Sequence, residues 1–447
     1  MTTYDLLIIG GGPGGYMAAE RAGHAGLNVL LAEKRALGGV CLNEGCIPSK
    51  TLLHSAKIYD NALHGSAYGI TVEGASIDHG RVIARKNAVV STLTGGIKAL
   101  MKQNKVTVLY GEASIIDKNT IIVNGETYSG SRMIIATGSV PIIPPIPGAA
   151  EKMELGRVLT SREILDLEAV PKELAIIGGG VVGLEMASYY NTAGSKVTVI
   201  EMLPKIAGPT DGEISDILLK NYKKKGIGFL LETRANAITD AGVEYDGGVI
   251  TADKTLISIG RRPAVSGFGL ENTGVAVEQG AIVTDSNCRT SIPNIYAVGD
   301  VNGKYMLAHA AYREAEVAVN HILGKRDIMR YDAVPSVIYT SPEVASVGET
   351  EETAKVKGID SRAITVPMVY SGRYVAENEA ADGICKVVID KKSRSIIGVH
   401  MIGSYASEII LSACTMIEMQ MRVEDVRELI FPHPTAGEII REAVFRI

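Results

Sequence analysis

The stretch Tyr4–Lys34, YDLLIIGGGPGGYMAAERAGHAGLNVLLAEK, decides how the rest of the chain is read. An apolar run meets a glycine-rich turn. A helical segment follows, and then a second apolar run that ends at Glu33. The same order returns at Lys172–Met202, KELAIIGGGVVGLEMASYYNTAGSKVTVIEM. Gly10, Gly12, Gly15, Gly26 and Glu33 recur as Gly178, Gly180, Gly183, Gly194 and Glu201, each 168 positions on. In a strand–turn–helix of this kind the first glycine permits the tight turn. The second lets backbone approach a pyrophosphate, and the third lets helix pack closely on strand. The phosphates then meet free amides at the helix N-terminus, where the dipole favours negative charge. An acid at the end of the second strand accepts from a ribose 2′-hydroxyl. Two copies imply two dinucleotides, or one working site and a relic. Glu201 attracts a free 2′-hydroxyl and repels a 2′-phosphate, which favours NAD over NADP.

Composition narrows the class. The chain has 447 residues, a length that suggests about three domains. The formal net charge of -5 gives no electrostatic reason to expect nucleic acid or an anionic membrane. The first residues carry no basic leader, and Asp5 interrupts the apolar run, so they read as a strand rather than a secretion signal. No apolar segment is long enough for a membrane helix. Five cysteines in a chain this long do not make a disulfide scaffold, and a reducing cytoplasm is the expected compartment.

Further glycines fall at strand ends: Thr137-Gly138 in SRMIIATGS, Ser258-Ile259-Gly260-Arg261 in DKTLISIGRRP, and Gly299-Asp300 in PNIYAVGD. Each marks a candidate ligand contact, although Asp300 alone reads equally as a turn aspartate. The proline-rich run SVPIIPPIPGAA, residues 139–150, reads as a stiff connector between the two nucleotide units.

Cys41 and Cys46 lie in GGVCLNEGCIPSK, residues 38–50. Zinc needs four ligands, commonly as two short-spaced pairs. Cys288, Cys385 and Cys414 are scattered with no ligand at finger spacing, so no metal site is expected. A redox disulfide is a second reading. Residues five apart on a straight helix rise about 7.5 Å, beyond the roughly 7 Å Cα limit of a disulfide. The bridge therefore needs a loop or a bent helix, which Gly45 and Pro48 can supply. Cys46 would then sit near a helix start, close to Lys50, where dipole and cation favour a thiolate. A plain pair of cytosolic thiols is the third reading. At the far end, FPHPTAGEIIREAVFRI places His433 between two prolines. Its pKa range suits proton transfer. Thr435 and Glu438 have capping-box spacing, which by itself accounts for the acid.

These segments resemble the flavin-dependent pyridine nucleotide–disulfide oxidoreductases. The resemblance covers both glycine motifs, GGVCLNEGCIPSK, ATGS, SIGRRP, YAVGD and HPTAGE. Within that family, IPSK and HPTAGE resemble the branch that oxidises dihydrolipoamide. The resemblance implies an α/β fold: two Rossmann-like dinucleotide-binding domains plus an α+β C-terminal dimerisation domain. The expected boundaries are 1–144 for the first part of the FAD domain, 145–264 for the NAD domain, 265–331 for the central part completing the FAD domain, and 332–447 for the interface domain. In the last, KVVIDKKSRSIIGVHMIG reads as a hairpin and SEIILSACTMIEMQM as a methionine-rich helix.

The resemblance also implies roles. Cys41 takes the mixed disulfide with a substrate dithiol, and Cys46 becomes the thiolate facing the flavin. His433 is the base, Glu438 holds its imidazole, and a two-fold homodimer sets His433 over the partner's disulfide. FAD would be held by Gly10, Gly12, Gly15, Glu33, Lys50, Ala113, Thr137, Gly138, Asp300 and Ala308, with Lys50 pairing Glu185. NAD would be held by Gly178, Gly180, Gly183, Glu201, Ser258, Ile259, Gly260 and Arg261. The expected substrate is dihydrolipoamide on a lipoyl carrier domain of a 2-oxoacid dehydrogenase complex or the glycine cleavage system. The carrier would come from another chain, and a peripheral subunit-binding partner would join the enzyme to that complex. Two positions depart from the family, and at one of them Val40 stands where threonine is usual. Glu44 stands where an apolar residue is usual, and a carboxylate there should disfavour a nearby thiolate. Glutathione reductase is a rival that Glu201 weighs against. Mercuric reductase would need a C-terminal cysteine pair, which is lacking. A non-catalytic flavoprotein subunit is a rival of another class, against the intact Cys, His and Glu positions.

Overall fold

In the computed structural model, residues 3–379 and 382–447 are described. The opening stretch folds as strand Thr3–Ile9, helix Pro13–His24 and strand Val29–Glu33. Its later copy folds as strand Glu173–Ile177, helix Val181–Thr192 and strand Lys196–Ile200. Each pair of strands is parallel and in one register. Leu6 faces Val29 and Ile9 faces Ala32, while Leu174 faces Val197 and Ile177 faces Ile200. The spacing of the glycines therefore carries through to the backbone. Gly10 has φ +102° and Gly178 φ +107°, a region that side chains rarely adopt.

The chain divides into two compact units. One holds the chain up to Thr51, Arg81–Ile143 and Gly260–Arg330. The other holds Leu52–Gly80, Pro144–Ile259 and Tyr331–Ile447. The first unit is built on one mixed sheet in the order Thr107–Tyr110, Val29–Glu33, Thr3–Ile9, Glu126–Ile135, Thr120–Val123, Ala113–Asp117, with Ile295–Ala297 also paired to Glu126–Ile135. The strands around Thr3–Ile9 run parallel, and those from Ala113 to Ile135 form an antiparallel meander. Leu7, Leu30, Met133, Ile135, Ile295 and Ala297 share its buried core. Near-continuous apolar runs suit strands covered on both faces.

The second unit contains a parallel sheet in the order Gly228–Leu230, Lys196–Ile200, Glu173–Ile177, Lys254–Ile257, Val158–Leu159. It also contains a five-stranded antiparallel sheet in the order Ser336–Ile338, Val344–Gly348, Ile396–Ile402, Ile384–Asp390, Ser361–Pro367. The hairpin read at residues 386–403 is present, as strands Ile384–Asp390 and Ile396–Ile402. Its turn closes because Asp390 Oδ1 accepts from the amides of Lys392 and Ser393. The expected helix is Ala406–Glu418, which buries Ile410, Ala413, Cys414 and Met416 against Val387, Val399 and Met401. Two Rossmann-type sheets and an α+β segment are the architecture expected of this α/β chain.

The proline-rich run does more than connect. Ser139–Pro141 forms an antiparallel ribbon with Arg261–Pro263, and Ala149–Glu154 is already helical. The chain leaves the first unit through one strand of this ribbon and returns through the other. Among the described residues, no helix is long and apolar enough to cross a membrane.

Candidate active site

Cys41 lies in the six-residue helix Gly39–Glu44, and Cys46 opens the helix Cys46–Leu63. Gly45 separates them at φ −151°, ψ −109°. The break brings the two Cα atoms to 4.6 Å, and the sulfurs form a disulfide. The bend that the five-residue spacing demanded is thus made at Gly45. Pro48 falls in the first turn of the second helix, where its missing N–H removes no helical bond. Cys46 occupies the positive end of an 18-residue helix. Cys288, Cys385 and Cys414 are free and buried. Burial pushes the Cys385 thiol up to about 12 and the Cys414 thiol up to about 11, so neither is a ready thiolate.

The bridge is fastened to the first nucleotide turn. Gly38 N–H donates to Gly11 O at 2.8 Å. Gly39 packs on Gly12 so closely that a Cβ on Gly39 would lie 2.5 Å from the Gly12 Cα. Asn43 Nδ2 donates to the carbonyls of Leu37 and Gly39. Glu44 is not a lone carboxylate beside the sulfurs. Arg35 grips it with two parallel hydrogen bonds, Nη1 to Oε1 at 2.9 Å and Nη2 to Oε2 at 2.6 Å. Arg35 went unnoticed in the sequence. The available signal was a cation two residues beyond the ribose acid.

The two acids at the strand ends are held alike. Glu33 accepts from Gly11 N and Arg35 N, both at 2.7 Å. Glu201 accepts from Gly179 N at 2.7 Å and Leu203 N at 2.8 Å. Each carboxylate is thereby pinned across its own glycine turn. The helices after Gly12 and Gly180 have no side chain capping their first amides. These amides and the fixed acids fit the phosphates and ribose of a dinucleotide in each copy.

Thr137 Oγ1 donates to Ala264 O at 2.8 Å, and Gly138 follows at φ +71°. Asp300 lies in the turn Gly299–Asn302, Ala308 opens the helix Ala308–Ile322, and Ala113 opens a strand. All five belong to the first unit. Ser258 and Ile259 belong to the second, where Ser258 Oγ donates to Gly178 O at 3.1 Å. Gly260 and Arg261 fall in the first. There Arg261 Nε donates to Ser139 Oγ at 2.7 Å, and Ser139 Oγ donates to Asp300 Oδ2 at 2.5 Å. Ser139 is a second residue the sequence reading passed over. Lys50 is the fifth residue of its helix, with Nζ 3.4 Å from Ser49 Oγ. Glu185 Oε1 accepts from Tyr339 N at 3.1 Å.

His433 Nδ1 is 2.9 Å from Glu438 Oε1, while Glu438 Oε2 accepts from Thr435 N at 2.8 Å. The capping and orienting readings of Glu438 hold together, one per carboxylate oxygen. The Thr435 amide, with the His433 imidazole and Arg441 adding to it, holds the Glu438 carboxyl below its ordinary range, against the opposing effect of burial.

Comparison with known proteins places the chain. The pyridine nucleotide-disulphide oxidoreductase model matches residues 4–315, and that family's dimerisation-domain model matches residues 334–444. The chain belongs to the pyridine nucleotide-disulphide oxidoreductase family. Other members include the dihydrolipoyl dehydrogenase of Geobacillus stearothermophilus, 41% identical over 98% of this chain and 95% of the relative. The dihydrolipoyl dehydrogenase of Chlamydia muridarum is 40% identical over 98% of this chain and 96% of the relative. Among solved structures, LpdA from Mycobacterium tuberculosis superposes with a TM-score of 0.91 at 27% identity, covering 100% of this chain and 99% of that one. A Cu(II) complex of the flavoprotein disulfide reductase RclA from Escherichia coli gives 0.89 at 28% identity, with both chains covered fully. The family shares FAD and NAD(H) as cofactors, which the two glycine turns and their acids fit.

Proposed function

We propose that this chain is a dihydrolipoyl dehydrogenase: it oxidises the dithiol of a lipoyl group to the cyclic disulfide and reduces NAD⁺. The observation that carries the proposal is a disulfide at the N-terminus of a helix, fastened to a dinucleotide turn, in a chain about 40% identical along its length to dihydrolipoyl dehydrogenases. Residues 1–144 and 265–331 form the FAD part, 145–264 the NAD part and 332–447 the homodimer interface.

One substrate thiol loses its proton to His433 Nε2, while Glu438 holds Nδ1. The resulting sulfur attacks Cys41, breaking the Cys41–Cys46 bond and forming a mixed disulfide. Cys46 leaves as a thiolate, favoured by its helix terminus and by Lys50. The second substrate thiol then displaces Cys41 and closes the lipoyl ring. Cys41 takes the proton held by His433, the second thiol's proton is released to solvent, and the protein dithiol is left as a Cys41 thiol and a Cys46 thiolate. In the homodimer, His433 of one subunit serves the bridge of the other. When bound, FAD supplies the electron-pair acceptor for that dithiol, and NAD⁺ supplies the final hydride acceptor.

Gly10, Gly12, Gly15, Glu33, Lys50, Ala113, Thr137, Gly138, Asp300 and Ala308 hold FAD. Arg261 reaches the same segment through Ser139. Gly178, Gly180, Gly183, Glu201, Ser258, Ile259 and Gly260 hold NAD. The lipoyl group comes on a carrier domain of a cytoplasmic 2-oxoacid dehydrogenase or glycine cleavage complex, with a peripheral subunit-binding domain as the docking partner.

The test is turnover of free dihydrolipoamide with NAD⁺ by the wild-type protein and by Cys46→Ser. The variant should keep its flavin and lose dithiol turnover. Undiminished turnover removes the bridge from the reaction.

A further inference from the structure

We propose that Arg35 neutralises Glu44 beside the Cys41–Cys46 bridge, so that the carboxylate does not shift the reduction equilibrium of the bridge toward the disulfide. The inference deepens the function above and rests on its reading of that bridge as the redox centre.

Glu44 and Cys41 are three residues apart on one short helix, a spacing that places side chains on the same face. Cys46 follows Glu44 by only two positions. The Glu44 side chain is 13% exposed, so its charge is lightly screened. A bare carboxylate there would oppose a neighbouring thiolate. Both of its oxygens are instead taken by the Arg35 fork, the strong bidentate geometry of guanidinium and carboxylate. Arg35 is held in turn, since its amide donates to Glu33 Oε1. A second cation lies within electrostatic reach. Burial lowers the pKa of the Arg261 guanidinium, and Asp300 and Glu44 oppose that effect.

Reduction of the bridge takes two electrons and one proton and leaves one thiol and one thiolate. Only the reduced form carries the new negative charge. A local carboxylate disfavours it, a local guanidinium favours it, and the intact pair nearly cancels. The pair therefore permits an acid at this position without cost to the thiolate. Both are positioning residues that act on the bridge through the field.

The experiment equilibrates holoenzymes in graded dithiothreitol redox buffers and counts the Cys41 and Cys46 thiols by alkylation and mass spectrometry. Arg35→Ala should shift the equilibrium about tenfold toward the disulfide, about 30 mV for a two-electron couple. Glu44→Gln should shift it about as far toward the dithiol, because the charges of the intact pair nearly cancel. The double variant should return to within about twofold of the wild type. Opposite shifts that cancel are a signature that simple loosening of the helix does not produce. Single variants that shift in the same direction, or not at all, overturn the proposal. Should Arg35→Ala not fold, Arg35→Gln carries the same expectation. A wild-type bridge that no buffer opens sinks the functional reading itself, which is a separate outcome.

Discussion

Glu438 joins two structures through one carboxylate. Oε1 holds Nδ1 of His433 at 2.9 Å, and Oε2 accepts the Thr435 amide at the start of the last helical segment. The imidazole is thereby tied to the helix start, with Nε2 left for a proton. With the Glu438 carboxyl held below its ordinary range, the acid stays ionised throughout the range in which histidine titrates. His433→Gln should slow the dithiol half-reaction about 10²-fold or more. Electron transfer from NADH to an artificial acceptor should be nearly unchanged. Glu438→Gln keeps a cap but loses the charge, and should slow the same half-reaction to a lesser degree. Stopped-flow measurement of each half-reaction checks this, and equal slowing of both halves rules out a proton-transfer role.

The two glycine turns permit a matched comparison. A Cβ on Gly15 would lie 1.8 Å from Gly10 O, and one on Gly183 would lie 2.2 Å from Gly178 O. Each substitution forces its helix away from its strand, at a typical cost of about 1–3 kcal/mol. Gly183→Ala should raise the KM for NAD⁺ at least about tenfold while leaving the flavin in place. Gly15→Ala should yield protein depleted of flavin. Absorbance spectra and NAD⁺ kinetics separate the two. Flavin loss from Gly183→Ala alone would reverse the assignment of the sites.

The glycine repeat was readable because its constraint is local: a positive φ or a crowded Cα selects one residue type wherever it occurs. The cysteine spacing was readable for a similar reason, since a straight helix cannot close the bridge and Gly45 is the evident break. What escaped the sequence was side-chain pairing. Arg35 and Glu44 are nine positions apart in segments with no shared period, and Glu44 by itself suggested an unfavourable charge. Ser139 links Arg261 to Asp300 only because the proline-rich run folds back as a ribbon with Arg261–Pro263. Such pairings depend on topology that periodicity does not encode.

A buried ion pair links the helix Gly212–Lys224 to the strand Ile384–Asp390. Lys386 Nζ lies 3.0 and 2.9 Å from the two oxygens of Asp211 and 3.0 Å from Glu213. Burial alone would lower the Lys386 pKa; Asp211 and Glu213 outweigh it and raise it. Asp211 also caps the helix through the amides of Glu213 and Ile214. Lys386→Met leaves that carboxylate buried without its cation and should cost about 3–5 kcal/mol. Adding Asp211→Asn restores neutrality and keeps a good cap, so the double variant should recover part of the loss. Chemical unfolding monitored by circular dichroism measures all three proteins. A single variant as stable as the wild type would show that the pair contributes nothing.

His400 stands opposite Lys386 in the same sheet and is 1% exposed. Its Nε2 is 2.8 Å from Glu349 O, and among the described residues its Nδ1 has no hydrogen-bond partner. Burial lowers its pKa from 6.5, and Lys386 adds to that. The Glu349 carbonyl, Asp211 and Glu352 act in the opposite sense without reversing it. The unfolded chain therefore binds a proton at this histidine before the folded chain does. Stability should fall as pH drops below about 6.5 and level off once the folded form is also protonated. The loss amounts to about 1.4 kcal/mol for each pH unit separating the two values. His400→Leu gives up one hydrogen bond but removes this proton uptake. Its unfolding free energy should change less between pH 7 and pH 5 than that of the wild type. Parallel curves for the two proteins across that window would mean that His400 is not the group being titrated.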